Sequence, residues 1–184
     1  LEDMSIGIEC LLADDSTTAA ELAERLDGIN KERRSIEDEM KAQAIKIVDA
    51  QFPSKPISKT ASKAEKDQAD QYGVCLYDPS WHQGVVGIIA SRIKDRLHRP
   101  VIAFAKASDI EIKGSARSIR GLHIRDTLDA IATANPGLID KFGGHAMAAG
   151  LSLSIEKYAK FSALFDAEAK KNLAPADLEQ QVLS

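Results

Sequence analysis

Lys141 to Gly150 reads KFGGHAMAAG, with two adjacent glycines directly before a histidine. Glycine costs about 1 kcal/mol against alanine inside a helix and weakens strands as well. Paired glycines therefore suit a sharp turn or a close approach to the backbone. Gly143 and Gly144 in a turn could aim N–H groups at one point, and His145 could donate to a phosphate or stack on a base. A packed or capping histidine is the plainer alternative. The alanines that follow leave room for a ligand.

A second cluster, KGSARSIRG from Lys113 to Gly121, sets Lys113, Arg117 and Arg120 among small residues. An arginine fork matches phosphate oxygens. On a strand, Ser115 and Arg117 lie two apart and share a face, whereas Arg120 need not. The alternative is a solvated strand edge. A third cluster, SWHQGVVGI from Ser80 to Ile88, falls where a strand passes into a helix. Helix N-termini bind anions, Gly84 would admit a phosphate, and Trp81, the only tryptophan, offers a stacking face. A capped helix with a core tryptophan reads equally well.

No Walker A loop or dinucleotide fingerprint is present. His123, Asp126 and Asp129 are a weak match to a metal site, and no nucleophile–base set stands out. On these residues alone, the chain is a phosphate- or nucleic-acid-binding module without catalytic machinery of its own.

The elements that must hold these clusters follow from periodicity. The chain has 184 residues, two cysteines too far apart in sequence to suggest a disulfide framework, and a net charge of −4. Residues 1–50 hold 6 Lys/Arg against 13 Asp/Glu, while residues 91–154 hold 10 against 6, so the basic excess sits with the candidate clusters. No run of ~18 apolar residues suggests a membrane span, and the free cysteines suit a reducing cytoplasm. From Thr18 to about Ala50 an apolar stripe (Leu22, Leu26, Ile29, Ile36, Met40, Ala44, Ile47) predicts one long helix, with Thr18 and Glu21 spaced as a capping box. The lysine- and proline-bearing stretch after it reads as an exposed linker. From Tyr72 onward the order is strand, helix, strand, strand, helix, strand, helix. The third-cluster helix is expected from His82, and the 110–119 strand with an irregular centre. This is an α/β fold with a mixed sheet flanked by helices, preceded by a long connector helix.

WHQGVVGIIASRIKDRLHRP, GSARSI and KFGGHAMAAGL, in this order, resemble the DHH-associated domain of the RecJ family of single-strand-specific DNA exonucleases, within the DHH phosphoesterase superfamily. The resemblance divides the chain into the end of a catalytic DHH domain (1–15), the connector helix (16–52), the linker (53–71), the DHH-associated substrate-binding domain (72–172) and a C-terminal tail (173–184). It implies 5′-to-3′ degradation of single-stranded DNA in recombination and repair. It also implies manganese or magnesium held by a DHH domain whose ligand motifs do not occur here, so that the fragment would bind no metal and be inactive alone. Ser115 and Arg117 would contact the phosphate near the 5′ end. Gly143, Gly144 and His145 would line the cleft facing the metal, with Trp81, His82 and Gly84 close by. Single-stranded DNA is the implied partner, and single-stranded-DNA-binding protein would fit the role. The competing readings are a phosphodiesterase of short oligonucleotides or cyclic dinucleotides, a stand-alone single-strand-binding module, and a scaffold.

Overall fold

The computed structural model describes residues 5–51 and 71–179. The linker expected at 53–71 lies outside the described residues except at Gln71, as do the outermost residues of the two terminal segments.

Helix α1 spans Ser5–Leu12 and α2 spans Ser16–Gln51. The latter has 36 residues, roughly 54 Å at the α-helical rise. Its cap is Asp15, a turn earlier than the Thr18 box predicts. Asp15 Oδ1 accepts from the N–H groups of Thr17 and Thr18 at 2.9 and 2.8 Å, which satisfies two donors that the helix itself cannot. The bonds from Thr18 hold the Asp15 carboxyl below its ordinary range. Helix α1 packs against α2, but only the C-terminal half of α2 contributes fully buried side chains. Met40, Ala44 and Val48, spaced by four, are buried, whereas Leu22, Leu26 and Ile29 are half-buried. The core residue at the end of the stripe is thus Val48, with Ile47 beside it.

Five strands form one mixed sheet in the order β1-β2-β3-β5-β4. They are β1 (Val74–Asp78), β2 (Val101–Lys106), β3 (Glu111–Arg117), β4 (Lys141–Gly144) and β5 (Ala148–Ser154). β1 and β2 are parallel and the remaining pairs antiparallel. Helix α3 (Val86–Leu97) joins β1 to β2, α4 (Ile124–Ala134) precedes β4, and α5 (Tyr158–Asn172) closes the domain. The α/β reading from sequence holds.

Three local readings differ. β4 is absent from the expected order, because KFGG has poor strand propensity; it forms because β5 supplies its backbone partner. β3 has no irregular centre and pairs without a break on both sides. Gly114 is there because the Phe104 ring crosses it: a Cβ at 114 would lie 2.6 Å from that ring. The third helix starts at Val86 rather than His82, after a turn in which the Val85 N–H donates to the His82 carbonyl at 3.0 Å.

The sheet is buried on both faces through β2, as its nearly continuous apolar run requires. One face carries Val74, Leu76, Val101 and Ala103 under α2 and α3. The other carries Ile102, Phe104, Ile112 and Leu153 under α4 and α5. Phe104 meets Tyr158 and Phe161 edge-on, with ring centroids 5.6 and 5.8 Å apart. Helix α3 lies over β2 and β3. Beyond it, on the same side, Lys141, Gly143, Ala148 and Gly150 are exposed, and no helix among the described residues covers β5 and β4 there. That half-covered face is where several of the candidate residues stand.

Phe104 is fully buried at the centre of the aromatic cluster. Phe104→Ala should lower stability by ~3–5 kcal/mol, read as a lower urea midpoint at unchanged slope. A loss below ~1 kcal/mol would contradict the packing described.

Candidate nucleic-acid interface

Strand pairing places eight residues on the uncovered face in three rows, and His145, just past the end of β4, adjoins the third. Ser115 lies opposite Gly150, which lies opposite Gly143. On one side of this row Lys113, Ser152 and Lys141 stand in register. On the other side Arg117 is opposite Ala148, and the His145 N–H donates to the Ala148 carbonyl at 2.8 Å. Opposed residues, and residues two apart along a strand, share a face. At the usual strand spacing and rise the patch measures roughly 10 by 13 Å.

The centre of the patch is bare peptide with one hydroxyl. Its corners are Arg117, Lys113, Lys141 and His145. Among the described residues no carboxylate pairs with Arg117, Lys113 or Lys141. Two adjoining cavities run along the foot of α3 and meet at Gln83 and Ser115. One, of about 400 Å³, is lined by Lys113, Lys141, Ser152 and Val86. The other, of about 560 Å³, is lined by Arg117, Gly84, Gly87, Ser91 and Arg92.

Arg117 lies against the first turn of α3. Its Nη1 donates to the Ala116 carbonyl at 2.9 Å. Its Nη2 lies 2.8 Å from where a Cβ on Gly87 would stand, so only glycine in the first turn of α3 lets the guanidinium lie there. A helix N-terminus carries roughly half a positive charge. The fold therefore holds two positive features side by side, and an anion at this point would interact favourably with both.

The expected site residues do not all gather here. Ser115, Arg117, Gly143 and His145 belong to the patch. Gly144 is adjacent but plays a different part: its φ is +150°, and a Cβ would stand 2.4 Å from the Ala148 carbonyl oxygen and the Ala149 Cα. What approaches Gly144 is its own hairpin partner. The glycine pair ends a strand instead of forming a nest of N–H donors, since the His145 N–H is bonded to Ala148. The loop carbonyls of Ala146 and Met147 accept from the N–H groups of Ile124 and Ser118 at 2.9 and 3.0 Å, which ties the hairpin tip to the segment entering α4.

Trp81 needs correction. It is buried against α2, with its indole N–H donating to Gln43 Oε1 at 3.0 Å, so it presents no face to a base. His82 braces the turn before α3: its backbone N–H lies 3.4 Å from Met40 Sδ, and its Nδ1 accepts the Gly84 N–H at 3.1 Å. Gly84 lines the Arg117 cavity, but with its N–H engaged it does not offer that donor to a phosphate. Arg120 lies elsewhere, beside His98 and Asp177. Gln83, Gly87, Arg92, Lys141 and Ser152 line the site without being marked as binding residues by the motifs. Reading KFGG as a strand would have put Lys141 and Gly143 on one face.

Among the described residues no group of three or more His, Cys, Asp or Glu could hold a metal ion. His123 instead caps α4, its Nδ1 accepting the Asp126 N–H at 3.2 Å. The side chains here do not fit a divalent metal. No helix of the described residues is long and apolar enough to cross a membrane.

A five-stranded mixed sheet with a half-covered, cation-cornered face defines an α/β domain, and the DHHA1 domain family matches it over residues 70–171. The chain belongs to that family. Its relatives are single-stranded-DNA-specific exonucleases RecJ. It is 51% identical over 169 residues to that of Haemophilus influenzae, covering 90% of this chain and 27% of that protein. It is 45% identical over 185 residues to that of Escherichia coli, covering 100% and 30%. The crystal structure of RecJ with Mn2+ from Thermus thermophilus superimposes with a TM-score of 0.72 at 27% identity, over 93% of this chain and 22% of that one. A crystal structure of exonuclease RecJ bound to manganese gives a TM-score of 0.68 at 26% identity, over 96% and 40%. The chain thus spans less than a third of the length of the two sequence relatives.

The two glycines separate structure from binding. Gly144→Ala should cost ~1–3 kcal/mol through backbone strain. Gly143→Ala, with open space around its Cβ position, should leave stability within ~0.5 kcal/mol. Thermal denaturation of the two variants checks this, and equal losses would contradict the hairpin geometry.

Proposed function

We propose that this chain is the substrate-binding part of a single-stranded-DNA-specific exonuclease, of 5′-to-3′ polarity, working in recombination and repair in the cytoplasm. The observation that carries the reading is the bare Ser115–Gly150–Gly143 row, flanked by Lys113, Lys141 and Arg117, which have no carboxylate partner among the described residues. Arg117, backed by the N-terminus of α3, takes the phosphate at the 5′ end, with the Ser115 hydroxyl beside it. The side-chain-free row lets the sugar-phosphate backbone lie against the sheet. His145, at the hairpin tip, closes the same end as Arg117. Contacts of this kind position a strand without reading its sequence, which suits an enzyme that must travel along any single strand.

The RecJ structures carry Mg2+ or Mn2+, and in the whole enzyme such a metal would be held by residues other than these. On this reading the chain alone binds DNA without cutting it, and a single-stranded-DNA-binding protein is the partner that the role calls for. The short-oligonucleotide and cyclic-dinucleotide alternatives gain no specific support from the site.

The test is anisotropy of labelled single strands, with and without a 5′-phosphate, titrated with this chain. The phosphorylated strand should bind more tightly. Affinity should fall with salt at a log–log slope of about −0.7 per phosphate held. Arg117→Ala should weaken binding of the phosphorylated strand by about tenfold or more, the scale of a lost charge-assisted bond, and remove the advantage of the phosphate. Salt-independent binding, or an unchanged Arg117→Ala variant, would contradict the reading.

A further inference from the structure

Lys113 and Lys141 flank Ser152 at the end of the patch opposite Arg117. We infer that these three residues form a second phosphate seat, which holds an internal phosphate of the strand whose 5′ end sits at Ser115 and Arg117. The inference rests on the function proposed above and adds residues and a register to it.

Distance separates the two seats. Lys113 and Arg117 are four residues apart on one strand, roughly 13 Å. A stacked strand rises ~3.4 Å per nucleotide, so one phosphate cannot touch both ends, whereas a strand of a few nucleotides reaches across the bare row between them. Two nearby carboxylates are already engaged, and Glu111, which shares a strand face with Lys113, makes no ion pair with it among the described residues. Asp109 pairs with Lys106 at 2.7 Å, and Asp140, next to Lys141 in sequence, pairs with Lys157 at 3.5 Å. The lysines at the seat have no such partner among the described residues. The Ser152 residue is buried and lines the cavity between them, and no protein partner of its hydroxyl exists among the described residues. Gln83, which lines both cavities, is anchored by its Nε2 donating to the Lys106 carbonyl at 3.1 Å. Two lysines astride a hydroxyl, in a cavity of about 400 Å³, suit a singly charged phosphodiester.

The inference is tested on the whole chain with pentathymidylate, with and without a 5′-phosphate, by anisotropy. The double variant Lys113→Ala/Lys141→Ala changes two exposed side chains, so its thermal midpoint should match the parent. It should weaken binding of both oligonucleotides by about tenfold, keep the ratio between them, and reduce the salt slope by about 0.7. Lys113→Arg/Lys141→Arg should restore the slope. A methylphosphonate at the third or fourth linkage, about 13 Å from the 5′ end at ~3.4 Å per nucleotide, should weaken the parent chain and leave the double-alanine variant unaffected. Unweakened binding by the double variant, or collapse of the 5′-phosphate ratio, overturns the second seat while leaving the proposed function standing. Absence of salt-dependent binding by the parent chain overturns both.

Discussion

The pairing register of β3, β5 and β4 is the constraint on which the site depends. It brings Ser115, Gly150 and Gly143 into one row and sets a row of polar and cationic residues on either side. A one-residue slip of β5 would turn Ala149, Leu151 and Leu153 out of the core and Gly150 into it. Those apolar residues lie under α4 and α5, so their burial enforces the register. The bare row is therefore held in place by the hydrophobic face behind it. Gly144 contributes from the hairpin end, since only a residue without a side chain tolerates Ala148 and Ala149 so close.

This arrangement trades some stability for availability. Two glycines in adjoining strands give no side-chain packing, and three cations without carboxylate partners among the described residues forgo ion pairs that nearby lysines make. Both features make little sense in a face that only meets water. They make sense in one that receives an anionic chain, where the missing contacts are supplied on binding. The same logic places Gly87 under Arg117: the helix start and the guanidinium repel one another modestly, and an anion would offset that repulsion.

Much of this is legible in the sequence. The long helix, the order of most elements, and the pairing of Ser115 with Arg117 on one face follow from periods of 3.6 and 2 and from the positions of Gly and Pro. Residues from all three motifs line one side of the sheet. Other features depend on contacts that no local pattern records. β4 is hidden because KFGG becomes a strand only when β5 pairs with it. Trp81 has two equally plausible environments in the sequence, and it is Gln43, 38 positions away, that meets its indole in the buried one. Gly114 reads as irregularity because the Phe104 ring that requires it sits on a different strand. Lys141 escapes notice as a ligand contact because its face is defined by a strand that the sequence does not announce.

The most direct test of the central claim is a map of backbone amide chemical shifts in this chain, recorded as a 5′-phosphorylated single strand is added. The largest changes should fall on Gly87, Ser115, Arg117, Gly143 and Gly150, with Trp81 and Arg120 nearly still. Changes centred on Arg120 and His98, with the Ser115–Gly150–Gly143 row unmoved, would place the nucleic acid on another surface and contradict the account.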